Sequence, residues 1–314
     1  MSFEIPRITY TGKIKEIRLG KGDKVVTIGG ETAYPFHLFE GDMPHPPRIA
    51  MEVYDMEPEE WPEAALEPFK DVVHDPVAWA KKCVERYGAE MICLQLLSTD
   101  PNGLNRPGEE AAQTAKKVAS AIDVPLIVWG SGNAEKDAET LRKVAEACDG
   151  MNLVLGPVTE DNYKQVGAGA IAYKHTAVAS TPIDINLAKQ LNILLGNLGV
   201  PDEQIVVDPT TGGLGYGIEY TYSVMERDRM AALTQQDERL QFPILCNMAK
   251  EVWKTKEAKT PTEETPTLGD AAKRGILMEA VTGVVLLLAG ADVLVMRHPE
   301  AVQLVRGIIS DFMG

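Results

Sequence analysis

The sequence predicts an α/β protein, a (β/α)8 or TIM barrel with an N-terminal β-hairpin extension. From residue 48 onward, short apolar runs typical of buried strands alternate with segments whose apolar residues recur every three to four positions, as in helices. Eight such units follow one another through mostly short links, which favours a closed parallel barrel over an open doubly wound sheet. Glycine, threonine, serine and asparagine cluster after the strands, so these loops should gather at one face.

The eight predicted strands are residues 49–54, 91–97, 125–129, 151–155, 170–174, 205–207, 243–247 and 293–296. Asp75 followed by Pro76 predicts the start of a helix, with Asp as the cap and Pro at the first helical position. Gly88, Gly169 and Gly290 each stand directly before a predicted strand, where a glycine commonly ends the preceding helix.

The first 47 residues differ from the rest. Residues 13–19 and 24–28 alternate roughly between polar and apolar around a Gly20-Lys-Gly-Asp turn, which predicts a β-hairpin that could plug one end of the barrel. A proline-rich passage then leads into the main domain. We therefore expect an extension over residues 1–47 and a barrel over residues 48–314, although the length also allows two domains.

The formal net charge of −15 argues against binding to nucleic acid or to an anionic membrane, because both need a concentrated positive field. A neutral or cationic ligand, or a protein partner, is the better expectation. The longest apolar run lies within residues 275–291, is interrupted by Glu279 and is too short to span a bilayer, and the first residues lack a signal-peptide pattern. We therefore expect a cytoplasmic protein.

The four cysteines, Cys83, Cys93, Cys148 and Cys246, each stand alone in an apolar pattern, without a Cys-x-x-Cys pair or a histidine at ligand spacing. They are expected to be buried core residues. The chain is therefore not expected to hold its own iron–sulfur cluster or structural zinc.

A glycine-rich loop follows the sixth predicted strand and reads Asp208-Pro-Thr-Thr-Gly-Gly-Leu-Gly-Tyr-Gly. Glycines allow positive φ and close approach to a ligand, and Thr210 and Thr211 add hydroxyls beside exposed N–H groups. The pattern predicts a binding loop at the carboxyl end of a strand. A tight turn without a ligand is the alternative.

Ionisable residues near predicted strand ends are the candidates for chemistry, namely Asp100, Lys174, His175, Asp208 and Arg297. Lys174 could form a Schiff base in an aldolase-like site, or pair with a carboxylate inside the barrel, which we favour. Asp208 is expected mainly to cap its loop. Arg297 and His298 could hold an anion, or His298 could cap a helix.

Residues 88–101, 124–133, 204–217 and 243–248 resemble the pterin-binding barrel group that includes dihydropteroate synthase and corrinoid methyltransferases. Within that group, the whole chain is most similar to the small subunit of corrinoid iron–sulfur proteins, the methyl carriers of the reductive acetyl-CoA (Wood–Ljungdahl) pathway. This likeness is carried by Ile28-Gly-Gly-Glu31, Trp129-Gly-Ser-Gly-Asn133 and Asp208-Pro-Thr-Thr-Gly-Gly213.

Two departures from the pterin-binding pattern are informative. Where such enzymes commonly read Gly-Ala-Asp-Ile-Ile-Asp-Ile-Asn, this chain reads Gly88-Ala-Glu-Met-Ile-Cys-Leu-Gln95, so Cys93 replaces an acid and Gln95 a shorter amide. Trp129 stands where the third strand often ends in Asp, whereas Asn247 remains as a polar contact. The resemblance therefore implies a barrel that keeps its fold and has lost its pterin chemistry.

The resemblance also implies a subunit with no reaction of its own. In that family a large subunit carries a 4Fe–4S cluster and a corrinoid-binding domain, and the barrel mouth of the small subunit covers the cobalamin. Methyl passes from methyltetrahydrofolate methyltransferase to the cobalt, and then to CO dehydrogenase/acetyl-CoA synthase. This chain lacks the Asp-x-His-x-x-Gly motif by which many corrinoid domains bind cobalt, which fits a cofactor held by the partner.

A corrin is broad, mostly apolar and fringed with amides, so glycine backbone, hydroxyls and amides suit it. The residues expected to contact it are Ser98, Thr99, Gly130, Ser131, Asn133, Thr210, Thr211, Gly212, Gly213, Leu214, Gly215 and Asn247. Two other functions stay open. One is a folate- or pterin-dependent methyltransferase, and the other is an aldolase or lyase that uses Lys174.

Overall fold

Eight parallel strands close into a barrel in the computed structural model, which describes residues 4–22, 25–212, 214 and 217–314. A hairpin of two antiparallel strands precedes the barrel, formed by β1 (Ile17–Leu19) and β2 (Val26–Ile28). The barrel strands are β3 (Arg48–Tyr54), β4 (Met91–Gln95), β5 (Leu126–Trp129), β6 (Val154–Val158), β7 (Thr176–Ser180), β8 (Ile205–Asp208), β9 (Ile244–Asn247) and β10 (Ala291–Met296). They neighbour one another in chain order, and β10 pairs with β3 to complete the ring.

The helices surround this ring and confirm the predicted fold class. They are α1 (Glu63–Leu66), α2 (Pro76–Tyr87), α3 (Gly108–Ala121), α4 (Ala134–Ala147), α5 (Tyr163–Tyr173), α6 (Ile185–Leu198), α7 (Ile218–Thr234), α8 (Ala249–Trp253), α9 (Lys256–Lys259), α10 (Ala271–Ala289) and α11 (Pro299–Met313). Within the described ranges, no helix combines the length and apolar character needed to cross a membrane.

The helix ends follow local chemistry that the sequence shows. Asp75 caps α2 by accepting hydrogen bonds from the backbone N–H groups of Val77 and Ala78, as predicted. Gly88 and Gly290 end α2 and α10 in the left-handed conformation, also as predicted. All four cysteines are buried and unpaired, which confirms their assignment to the core.

The predicted strand over residues 170–174 is wrong, because residues 170–173 form the last turn of α5. Gly169 lies inside the helix, and Lys174, with φ of 59°, ends it before β7 begins at Thr176. The small apolar residues of this turn suit a strand or a helix equally, so their pattern could not separate the two. Lys174 and His175 therefore lie at the end of the barrel where strands begin, and not at the mouth, where strands end.

Smaller boundary differences leave the topology unchanged. The fourth barrel strand is Val154–Val158 and not residues 151–155, and the second ends at Gln95. The charged segment over residues 250–268 contains most of α8 and all of α9. The hairpin strands are shorter than predicted, and Lys24 lies outside the described residues.

Alternate residues of each barrel strand point inward and form layers. The layers away from the mouth are apolar and buried, and consist of Ala50, Met91, Cys93, Ile127, Val154, Val178, Val206, Leu245, Val293 and Val295. Continuing the same alternation toward the mouth brings a mostly polar layer inward, made of Glu52, Tyr54, Gln95, Trp129, Gly156, Ser180, Asp208, Asn247 and Arg297. The barrel interior is therefore apolar away from the mouth and mostly polar at the mouth.

The β1–β2 hairpin closes the end of the barrel opposite the mouth. Ile17, Leu19 and Ile28 are buried and pack on the apolar interior residues. Asn152, which precedes β6, donates from Nδ2 to the carbonyl oxygens of Arg18 and Gly20, at 3.1 and 2.9 Å. The expectation that the hairpin plugs one barrel end is confirmed, while the division into domains at residue 47 stays a prediction.

A buried ion pair supports the same end. Arg229 of α7 donates from Nη2 to Asp292 Oδ2 of β10 at 2.5 Å and to the carbonyl oxygen of Gly290 at 2.6 Å. The same Asp292 oxygen accepts from the backbone N–H of Ile244 at 2.6 Å. Burial, together with the nearby charge of Asp292, raises the pKa of Glu31 well above its ordinary value. The extension therefore places a carboxyl that favours its neutral form beside this pair.

Replacing Leu19 with Ala tests the plug. Leu19 is fully buried against the barrel interior, so its truncation should lower the free energy of unfolding by about 3 kcal/mol. Arg18→Ala, at the exposed neighbour in the same strand, is the matched control and should change little. Urea unfolding followed by circular dichroism measures both. Equal effects of the two substitutions would show that the hairpin does not pack as described.

His175 predicts a pH dependence of stability. Its Nδ1 accepts from the backbone N–H of Leu153 at 3.0 Å and its Nε2 donates to the Ala145 carbonyl at 2.9 Å, which requires a neutral ring. Burial lowers the pKa of His175, so the unfolded chain takes up a proton first and stability falls as pH drops below about 6.5. Urea unfolding between pH 8 and 5.5 should therefore show a steeper loss in the wild type than in His175→Gln. Parallel losses would contradict this role.

Candidate functional site at the barrel mouth

Two amide side chains form a hydrogen bond across the mouth. Gln95 at the end of β4 donates from Nε2 to Oδ1 of Asn247 at the end of β9, at 3.0 Å. These strands are not neighbours, because β3 and β10 lie between them in the ring. The pair therefore spans part of the opening and engages the Gln95 amide nitrogen and the Asn247 amide oxygen.

Arg297 follows β10 and buries its guanidinium at the mouth. Its Nε donates to Glu52 Oε2 and its Nη2 donates to the Tyr54 hydroxyl, both at 2.7 Å. Its Cζ lies 3.8 Å from the centroid of the Trp61 ring, a cation–π contact. Glu52 therefore pairs with the cation inside this corner of the mouth.

Glu279 of α10 holds the backbone around Arg297. One carboxylate oxygen accepts from the Arg297 N–H at 2.5 Å, and the other accepts from the His298 N–H and from Trp253 Nε1, each at 3.0 Å. Burial raises the pKa of Glu279 to about 7. His298 in turn caps α11 by accepting from the Glu300 N–H at 3.2 Å, which confirms the helix-cap alternative for this residue.

Asp208 ends β8 with a buried carboxylate. One oxygen accepts from Ser180 Oγ at 3.0 Å, and the other accepts from the Thr210 N–H at 3.1 Å. The expectation that Asp208 caps its own loop is confirmed. Burial raises the pKa of Asp208 to about 7.

The loops after β7 and β8 hold each other in strained conformations. Thr210 and Ile183 are β-branched residues with φ of 60° and 43°, in the left-handed region that such residues rarely adopt. Thr210 Oγ1 donates to the Thr181 carbonyl at 2.9 Å, and the Ile183 N–H donates to the Pro209 carbonyl at 3.1 Å. Strain of this kind is typical of functional sites and persists only where surrounding contacts enforce it.

The remaining residues of the glycine-rich loop differ in exposure. Thr211 is buried beside the Cys246 thiol. Gly212 donates from its N–H to Thr221 Oγ1 at 3.4 Å, and Leu214 is half-buried against the core. Gly213 and Gly215 lie outside the described residues.

Ser98 and Thr99 have buried hydroxyls that hydrogen-bond within the protein. Ser98 donates from its N–H to Asp55 Oδ1 at 2.9 Å and from its hydroxyl to Asp55 Oδ2. Thr99 Oγ1 donates to the Leu96 carbonyl at 2.7 Å, and both residues are buried. Ser98 therefore fixes the loop after β4 to the end of β3, while Thr99 holds the turn of that loop itself.

The loop of Gly130, Ser131 and Asn133 wraps around a carboxylate of α4. Asp137 accepts from the Ser131 N–H at 2.8 Å, from the Ser131 hydroxyl at 3.0 Å and from the Gly132 N–H at 2.9 Å. A Cβ atom at Gly130 would stand 2.3 Å from the carboxyl carbon, so only glycine fits there. Asn133 is exposed and caps α4 by accepting from the Lys136 N–H at 3.0 Å.

The predicted site residues that the structure describes lie on one rim, because each of them ends or follows a barrel strand. They form two groups, one after the neighbouring strands β4 and β5 and one after the neighbouring strands β8 and β9. The sequence-based site omits the side chains that organise this rim, namely Glu52, Tyr54, Asp55, Trp61, Asp137 and Ser180. Glu52 could have been noticed, since it is a lone acid in an otherwise apolar strand core.

A family model described as the CO dehydrogenase/acetyl-CoA synthase delta subunit matches residues 16–309. The chain belongs to this family. In this delta-subunit family, the acetyl-CoA decarbonylase/synthase complex subunit delta of Archaeoglobus fulgidus is 38% identical over 324 residues, covering 99% of this chain and 71% of that protein. The subunit of the same name from Methanopyrus kandleri is 41% identical over 287 residues, covering 91% and 70%. The family resemblance predicted from the sequence is confirmed.

Solved structures show the fold of this delta-family chain independently. Dihydropteroate synthase from Xanthomonas albilineans, in complex with indole-2-carboxylic acid and 6-chloroguanine, superposes with a TM-score of 0.60 at 13% identity, covering 95% of this chain and 98% of the enzyme. The enzyme from Thermus thermophilus in complex with 4-aminobenzoate gives 0.54 at 17% identity, covering 89% and 98%. At these identities the likeness shows the barrel fold alone.

A double-mutant cycle tests the Glu52–Arg297 pair. Arg297→Met leaves a buried carboxylate without its partner and should cost about 3–5 kcal/mol of unfolding free energy. Combining it with Glu52→Gln removes the orphaned charge, so the double variant should lose less than the sum of the single variants. The exposed pair Lys13 and Glu16, changed to Met and Gln, is the control and should show little coupling. Additive losses at Glu52 and Arg297 would refute the pairing.

Proposed function

We propose that this delta-family chain is the subunit without an iron–sulfur cluster in a corrinoid methyl carrier of the reductive acetyl-CoA pathway. Its barrel mouth covers a cobalamin held by a larger corrinoid iron–sulfur subunit. The names of its relatives, subunits of acetyl-CoA decarbonylase/synthase complexes, support the pathway. The observation that carries the proposal is the mouth itself, where the Gln95–Asn247 bond spans part of the opening and Trp129 packs on the interior.

The groups at the mouth suit a corrinoid. The ring is fringed with amides, which pair with the Asn247 amide and the exposed Asn133 amide. A Cβ atom added at Gly132 would meet no atom within 4 Å, so the rim is open there to a large partner. When bound, the corrinoid supplies the cobalt that accepts and gives up the methyl group.

The chain's own part is to bind and to exclude water. The layers below the mouth are apolar and buried, and the charge of Arg297 is neutralised by Glu52 at the same level. By covering one face of the corrinoid, the mouth keeps water and oxidants from that face, which protects a strongly reducing centre. No group of this chain needs to react.

The partners follow from the same proposal. The larger subunit carries the 4Fe–4S cluster, methyltetrahydrofolate methyltransferase delivers the methyl group, and CO dehydrogenase/acetyl-CoA synthase receives it. The exchange requires the corrinoid domain to move between these proteins while the barrel stays fixed.

Anaerobic isolation of the chain with its larger partner tests the proposal. The pair should show the visible spectrum of a corrinoid, and its reduced cobalt should lose absorbance more slowly after a measured dose of oxidant than the partner alone. A colourless wild-type chain that transfers methyl from methyltetrahydrofolate without the partner would instead favour the pterin-dependent methyltransferase.

Asn247→Leu tests whether the mouth of the barrel, and not its opposite end, binds the corrinoid-loaded partner. Loss of one amide contact should weaken binding to the corrinoid-loaded partner about five- to tenfold and speed cobalt oxidation in the pair. The control is Lys174→Asn, at the opposite end of the barrel, where asparagine tolerates the left-handed conformation. It should leave the affinity for the partner and the rate of cobalt oxidation unchanged. Titration of the labelled partner gives the affinity. An effect at Lys174 and none at Asn247 would contradict a role for the mouth.

A further inference from the structure

Trp129 ends β5 and turns its indole into the barrel, where it packs on the apolar interior residues. In register it stands between Gln95 of β4 and Gly156 of β6. A Cβ atom added at Gly156 would lie 2.9 Å from Cζ3 and 3.1 Å from Cε3 of the indole. The ring therefore lies directly against the β6 backbone, and only a glycine at position 156 leaves room for it.

The polar side chains of the same interior layer are paired with one another. Gln95 bonds to Asn247, and Ser180 bonds to Asp208, each at 3.0 Å. Two carboxamides and a carboxylate are the groups that would pair with the adjacent donors and acceptors of a pterin, a flat bicyclic heterocycle with a 2-amino-4-oxo edge. An indole is also a flat bicycle of nearly that size. Trp129 belongs to the same interior layer as these groups and lies beside Gln95 in register, so its indole takes up space that a flat bicyclic ligand would need on entering the mouth.

We propose that Trp129 sets the specificity of the barrel mouth by filling the volume that a pterin would occupy. The mouth then binds a ligand across its surface and not inside the barrel. Gly156 is the positioning residue, because any larger side chain would push the indole outward. A clash built against an unwanted ligand is a general route to specificity. Only the statement that a ligand binds across the surface of the mouth rests on the proposed function. The exclusion of pterin from the barrel concerns this chain alone.

Binding of pterin to the full chain without its partner tests the inference. Trp129→Ala should leave an indole-sized cavity beside the paired polar groups, because surrounding structure collapses only partly around a deleted side chain. Isothermal titration with 2-amino-4-oxopteridine should show at least about tenfold tighter binding to this variant than to the wild type. Adding Asn247→Leu to Trp129→Ala should cancel most of the gain, because one partner of the heterocycle is lost.

Two further variants make the result specific. Trp61→Ala deletes an indole of the same size at the rim, where it stacks on Arg297, and should give no gain in pterin binding. Trp129→Leu keeps an apolar side chain on the interior and should give a smaller gain than Trp129→Ala. Trp129→Leu becomes the test variant if Trp129→Ala does not unfold cooperatively in urea. A folded Trp129 variant that binds pterin no better than the wild type would overturn the inference, as would an equal gain from Trp61→Ala.

The outcome can be separated from that of the proposed function. If the wild-type pair fails to slow cobalt oxidation while Trp129→Ala gains pterin binding, the corrinoid-covering role falls and the specificity role of Trp129 stands. If the pair protects cobalt while folded Trp129 variants bind no pterin, the covering role stands and the specificity role falls.

Discussion

The Glu52–Arg297 ion pair lies at the seam where the last barrel strand meets the first. A buried charge without its partner is strongly unfavourable, so the seam closes only when both side chains enter the interior together. Tyr54 and Trp61 then fix the guanidinium from the β3 side, and Glu279 fixes the backbone from α10. The first and last barrel strands, the loop after β3 and α10 are thus tied together around this one residue.

A second constraint recurs around the rim. Asp55, Asp137 and Asp208 are buried carboxylates, and each accepts a backbone N–H from a rim loop and a serine hydroxyl. Burial raises the pKa of all three. Loops organised in this way hold their shape before a partner arrives, which lowers the entropy lost on binding.

The sequence predicted what depends on local pattern. Apolar strand runs that alternate with helical patterns predicted the barrel, and Asp75 and Gly88 predicted the two ends of α2. The polar loops that follow the strands predicted which residues lie on the rim. The failures have local causes too, because the small apolar residues after Gly169 suit either a strand or a helix. The partners Asp55 and Asp137 could not be found in this way. Asp55 meets a loop 43 residues away, and Asp137 reads as one more polar residue on a helix.

The β1–β2 hairpin, which closes one end of the barrel with Ile17, Leu19 and Ile28, limits how a ligand can enter and leave the barrel. Because the hairpin covers one end and buried apolar side chains fill the interior, the described part of the barrel admits a ligand from the mouth and forms no tunnel. A small molecule or gas that reaches the mouth must leave by the way it came.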